Sequence, residues 1–249
     1  MTGAPDSSTS KPEMAGELPA MRRRLLAGML RHAPFDGWSA RALQAAARDE
    51  GVSSEMAAIA FQGGPAEIAD FFNREADRQM AEALTAALSE AADTQNRLKI
   101  REKVALAVRT RLEQHAGHRE ALRALASFLA MPAHAGLAAR SLWRTVDAMW
   151  NAIGDTSTDF NYYSKRTLLA GIYGSTVLVW LDDHSEGFAD SFAFLERRID
   201  GAMAIERGKA RLKRLAGDLF GWTRATVRPS GRDYARPYTP VRPRTGPRA

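Results

Sequence analysis

Between Pro19 and Phe220 apolar residues recur every third or fourth position, and no segment alternates apolar and polar residues as a half-buried strand does. That period confines the chain to helices packed on helices. Met21–His32 sets Leu25, Leu26, Met29 and Leu30 on one face, and Pro34 is expected to close that helix. Ser39 stands as an N-cap before Ala40–Glu50, and Gly51 supplies its stop. Val52-Ser53-Ser54-Glu55 opens a short helix with a serine cap, and Gly63-Gly64-Pro65 breaks the chain before Ala66–Leu88. Further helices are expected over Arg97–His115, His118–Leu129, Gly136–Ile153, Phe160–Leu181 and Gly187–Ile199, with a last one through Phe220. The fold class is all-α.

The formal charge of +6 suggests a polyanion partner until its position is read. Gly221–Ala249 holds seven Arg and one Asp, which is the whole excess, and Met1–Phe220 is left with 28 basic and 28 acidic residues. The basicity belongs to a tail. With no Cys, the chain has no disulfide, thiol nucleophile or Cys-based metal site. The first twenty residues lack a basic start and an apolar stretch, so no signal peptide is expected. Thr167–Leu181, the longest apolar run, falls short of the roughly 20 residues a spanning helix needs.

Helix, Gly51-Val52-Ser53 turn, short helix and then a long helix form the layout of a helix-turn-helix head on a helical body. It resembles the front end of TetR-family regulators, whose short helix enters the DNA major groove. The residues do not suit that task. No Lys or Arg occurs between Val52 and Phe72, while Glu55, Glu67 and Asp70 are acidic. Met56, Ala57, Ala58, Ile59 and Ala60 offer methyl groups where base edges and phosphates need donors. The reading is a degenerate helix-turn-helix, with no nucleic-acid partner.

Catalytic motifs are equally missing. There is no GxGxxG, GxxxxGK[ST] or GxSxG, and no Glu-x-x-His of the kind carboxylate-bridged di-iron bundles use. His115 and His118 flank Gly117 at a helix boundary, and His184 sits in the acidic turn Asp182–Glu186. No enzyme activity, cofactor or metal is expected of this chain.

The informative stretch is Gly154-Asp-Thr-Ser-Thr-Asp-Phe-Asn-Tyr-Tyr-Ser-Lys-Arg166. Gly154 ends one helix, and the Asp-Thr-Ser-Thr run can cap the next. Asp159, Tyr162, Tyr163 and Arg166 follow at i, i+3, i+4 and i+7, one stripe with the makeup of an interface hot spot. This segment resembles the accessory proteins of ubiquinone (coenzyme Q) biosynthesis, the Coq-nine family. The resemblance continues through Arg166–Tyr173, Trp180-Leu-Asp-Asp183 and Phe194–Ile199, takes in His32–Trp38, and covers about residues 20–210. It implies a TetR-like fold and a homodimer without DNA binding. It also implies isoprenoid lipid held in the helical body, and docking of the di-iron hydroxylase that acts on demethoxyubiquinone. The implied hydroxylase-contact residues are Met149, Asp159, Tyr162, Tyr163 and Arg166, with Tyr162 where many relatives are expected to carry Trp.

A lipid pocket is expected among three apolar faces: Trp143, Val146 and Trp150; Leu168, Leu169, Ile172, Val177 and Trp180; and Phe192 with Leu195. Gly171 and Gly174 leave space beside the middle helix. Further on, Leu212, Leu215, Leu219 and Phe220 recur at helical spacing beside Arg211 and neighbouring bases, with Trp222 beyond. That is the pattern of an amphipathic helix on an anionic membrane surface. The organisation expected is therefore a disordered segment 1–18, a helix-turn-helix-like part 19–90, a lipid-binding and dimerisation body 91–200, a membrane helix 201–221 and a disordered Arg/Pro tail 222–249. The function expected is presentation of a ubiquinone intermediate to the hydroxylase, in the cytoplasm at the inner membrane. A TetR-like regulator responding to a hydrophobic ligand is the alternative.

Overall fold

The structure, a computed structural model, describes residues 11–93, 98–158 and 160–204. Among them there are helices and no strand, in the order α1 (Lys11–Asp36), α2 (Ala40–Asp49), α3 (Ser54–Ala60), α4 (Gly64–Asp93), α5 (Ile100–Glu113), α6 (Arg119–Ala130), α7 (Ala135–Ile153) and α8 (Phe160–Leu181). A ninth helix, α9, begins at 189 and runs to the last described residue, 204. Residues 205–249, among them Arg211, Leu212, Leu215, Leu219, Phe220, Trp222 and the basic tail, lie outside the described residues.

The caps fall where the sequence places them. Ser39 accepts from the Ala42 N–H at the start of α2, and Ser53 accepts from the Met56 N–H at the start of α3. Gly154 takes φ +89° at the end of α7, a left-handed geometry that a side chain would strain. Helix α1 differs at both ends. It starts at Lys11 rather than near Pro19, because Pro12 suits a first helical turn and Glu13–Leu18 include good helix formers. It also runs through Pro34. Proline disturbs the turn before it, and the stop comes one turn later at Gly37, whose φ is +69° and whose N–H reaches the Ala33 carbonyl.

The head is a small, tight core. Leu25, Met29, Ala33, Trp38, Ala46, Ile68 and Phe72 are at most 4% exposed, and Ala121 and Leu125 of α6 close the same cluster. Helices α1 and α2 touch almost backbone to backbone, since a Cβ added to Gly28 would lie 2.8 Å from that of Ala46. The Trp38 indole donates to the Pro65 carbonyl at 3.1 Å and meets Phe72 edge-on, fixing the start of α4 to the head.

The body is tied by buried charge. Asp77 of α4 accepts from Arg111 Nε of α5 at 3.3 Å, and from Thr145 Oγ1 and Arg144 Nε of α7 at 2.8 and 3.3 Å. Arg144 also reaches Asp70 at 2.8 Å. Burial pushes the Asp77 carboxyl up, and the positive charge of Arg111 opposes that. At the far end of α8, Arg119 and Arg123 of α6 both donate to the Leu181 carbonyl, satisfying a helix-end acceptor. The acidic turn beyond is a buried cap. Asp183 accepts from the N–H and hydroxyl of both Ser185 and Ser191, at 2.5 to 2.9 Å. Burial alone would raise the Asp183 carboxyl, and the hydrogen bonds from the two serines reverse this, holding it well below the usual range.

Candidate functional site

An apolar pocket of about 330 Å³, partly open to solvent, lies in the body. Leu122, Leu125 and Leu129 of α6 form one wall, and Leu142 and Ser141 of α7 another. Tyr173, Gly174, Val177 and Leu178 of α8 close it, with Arg111 and Phe72 at its borders. The space follows from small residues: Ala126, Ala130, Ala138 and Gly174 all line it. A Cβ added to Gly174 would meet nothing within 4 Å. The volume is at the low end for a ligand pocket.

Of the ten residues read as lipid-binding, only Val177 lines this cavity. Val146, Trp150, Leu169, Ile172, Trp180 and Leu195 are packed core, between 0 and 7% exposed. Trp143 is half-buried and stacks with Tyr163, with ring centres 6.3 Å apart. Phe192 lies under the Arg109 guanidinium at 4.6 Å, and Leu168 is half-buried. Large apolar residues mark where helices meet, whereas a cavity forms where they are lacking. The usable signal was the run of small residues on the inward faces of α6 and α7, including Ala126, Ala130 and Ala138. Gly174 fits that logic, while Gly171 is exposed on the outer face of α8.

The expected docking stripe divides into a surface and a foundation. Tyr163 is 61% exposed and Tyr162 half-buried, whereas Met149 has no exposed surface and Arg166 only 1%. Met149 is buried, not part of the surface, because on α7 it shares the core-facing side with Val146, Trp150 and Ile153. Arg166 holds the stripe from beneath. Its guanidinium lies 3.4 Å from the Tyr162 ring centre, and its Nε donates to Asp147 at 2.6 Å. Tyr162 donates to the same carboxylate at 3.0 Å, and that bond pushes its phenol up. Asp159 is outside the described residues.

The Asp-Thr-Ser-Thr loop does more than cap. Asp155 and Ser157 both receive the Lys165 ammonium at 2.7 Å, and Asp155 also receives Arg166 at 3.4 Å. Burial would raise the Asp155 carboxyl, and hydrogen bonds led by Lys165 bring it below its usual range. The loop is thus pinned to the first turns of α8, and with it the backbone that carries Tyr162 and Tyr163.

At the head, the exposed residues of α3 include Glu55, Ala58 and Ile59, an acid and two apolar groups where a reading helix would carry donors. Among the described residues no group of three His, Asp or Glu side chains is placed to hold a metal ion. No single described helix is long and apolar enough to cross a membrane.

Residues 135–206, which contain α7 and α8, match the COQ9 family model. The chain is 33% identical over 188 residues to the human mitochondrial ubiquinone biosynthesis protein COQ9, covering 74% of this chain and 58% of that one. To COQ9-B of Xenopus laevis it is 32% identical over 192 residues, covering 74% and 63%. To COQ9 of Drosophila melanogaster it is 30% identical over 211 residues, covering 82% and 63%. Over most of its own length this chain is similar to COQ9 proteins. It spans 58 to 63% of the length of those three. Among solved structures, a TetR transcriptional regulator from Nitrosomonas europaea superposes with a TM-score of 0.59 at 21% identity, over 74% of this chain and 98% of that one. The fold is TetR-like, and the COQ9 match falls on the helices that wall the cavity and carry the tyrosine pair.

Proposed function

We propose that this chain is a non-catalytic accessory protein of ubiquinone biosynthesis. It holds an isoprenoid quinone intermediate in the body cavity and presents it, as a homodimer on the membrane surface, to the di-iron demethoxyubiquinone hydroxylase. One observation carries this reading: the COQ9 match covers α7 and α8, and those helices supply both the cavity wall and the exposed Tyr163 beside Tyr162. An aromatic pair backed by a buried Arg suits a partner interface, where rigid side chains lose little entropy on docking. The amphipathic residues Leu212, Leu215, Leu219 and Phe220, with Arg211 and Trp222, would bring the chain to the lipid that carries the substrate.

Native mass spectrometry of the purified chain, with organic extraction of whatever co-purifies, tests the reading. A bound quinone or isoprenoid is the expected result, together with stimulation of the hydroxylase on vesicles. An empty protein under lipid-retaining conditions and no stimulation overturns it. The likeness to a TetR regulator supports a second reading, a ligand-responsive DNA-binding protein. The acid and apolar face of α3 weighs against that reading, and a gel-shift assay with genomic DNA fragments decides it.

A further inference from the structure

The chemistry at the polar end of the cavity says which head group it takes, on the premise that the cavity is the lipid site proposed above. Arg111 is the one cation among the described residues that line it. That charge is already used: Arg111 is 3% exposed, its Nε donates to Asp77 and its Nη2 to Asn73 Oδ1 at 3.4 Å. A carboxylate or phosphate entering here would find no unmatched positive charge, and a buried anion without one is costly. Ser141 is different. It is 4% exposed, it lines the cavity, and its Oγ has no hydrogen-bond partner. Tyr173 of the neighbouring helix brings a second hydroxyl-bearing side chain to the same space and is 9% exposed. A buried polar group left unmet is a standing cost to the empty protein, and a ligand that meets it removes that cost.

We propose that Ser141 and Tyr173 form the head-group end of the cavity and bind the ring carbonyl of a neutral quinone, excluding anionic lipids, with the tail leaving past Leu178. The exit follows from two facts. Leu178 is 67% exposed, and it lines both this cavity and an open depression shared with Val179, Asp182 and His184. The volume of about 330 Å³ takes a ring and the start of a chain, so the rest must emerge.

The test uses the full chain and three probes, each measured by calorimetry near pH 7: decyl-substituted dimethoxy-methyl-benzoquinone, decylbenzene and palmitate. The expected results are that the quinone binds, palmitate binds at least tenfold more weakly, and Ser141→Ala weakens the quinone by about tenfold. The same variant leaves decylbenzene unchanged and raises the melting temperature of the empty protein, because it deletes an unmet hydroxyl. Tyr173→Phe weakens the quinone alone as well. Palmitate binding as tightly as the quinone overturns the inference, and so does Ser141→Ala acting equally on quinone and decylbenzene or on neither. In those outcomes lipid binding itself still stands. Failure of all three probes to bind the unaltered chain removes both this inference and the lipid reading beneath it.

Discussion

Gly28 in the head and Gly174 in the body are both glycines within helices, and they do opposite things. At Gly28 the missing side chain lets α1 and α2 close until a Cβ would sit 2.8 Å from Ala46. At Gly174 the missing side chain leaves open space, with nothing within 4 Å. The difference lies in what sets the spacing of the helices. In the head nothing large stands between α1 and α2 at this point, so small residues draw backbones together. In the body Asp77, Arg111 and Thr145 lie between α4, α5 and α7 and need room for a charged network. Small residues on α6, α7 and α8 therefore become empty volume. A small residue makes contact or cavity according to whether its neighbours permit approach.

The largest expected effect comes from removing what holds the body open. Asp77→Ala leaves Arg111, 3% exposed, without its carboxylate, and should cost about 3–5 kcal/mol in chemical denaturation. A loss below about 1 kcal/mol would mean the network does not set the spacing. Next comes Gly28→Ala, which should destabilise by about 1–3 kcal/mol, since Ala46 cannot give way without moving α2. If it is neutral, the head is less tightly closed than its core implies.

The pH dependence separates the regions further. Burial holds His115, on the head-facing side of Phe72, down to about 3. The folded state therefore resists protonation that the unfolded chain accepts near 6.5. Stability from this group is complete above that value and falls as pH drops toward 3. A loss of about 1–2 kcal/mol between pH 7 and pH 5 is expected, and His115→Phe should flatten that limb. The Asp183 cap acts in the same direction at lower pH. Its carboxyl is held below its ordinary value, so its contribution is present above about pH 4 and lost in more acid solution. Asp183→Asn should lower stability at pH 7 and weaken the dependence below pH 4. The smallest effect completes the comparison. Gly174→Ala should stabilise by about 0.5–1 kcal/mol, because alanine favours the helix and finds room. Gly174→Leu should abolish quinone binding with the fold intact, as shown by unchanged circular dichroism.

Much of the architecture is legible in the amino-acid sequence. Ser39 and Ser53 cap where expected, α8 runs over Phe160–Leu181 as its apolar pattern indicates, and Gly154 ends α7. Those signals are local: a hydroxyl within reach of an N–H, or a left-handed glycine, depends on residues a few positions away. The candidate site was legible in part. Tyr162 and Tyr163 hold their rings 5.1 Å apart at the surface, but spacing does not say that Arg166 turns beneath Tyr162 toward Asp147 of another helix.

The amino-acid sequence alone therefore determined the helical class, the caps, the chemistry of the degenerate head and the likeness to COQ9 proteins. It did so because these rest on residue type and short-range order. The cavity, its unmet Ser141 hydroxyl and the burial of Met149 and Arg166 were decided only by tertiary structure. A void is a property of the distance between helices. That distance is set by buried partners as far apart in sequence as Asp77 and Thr145.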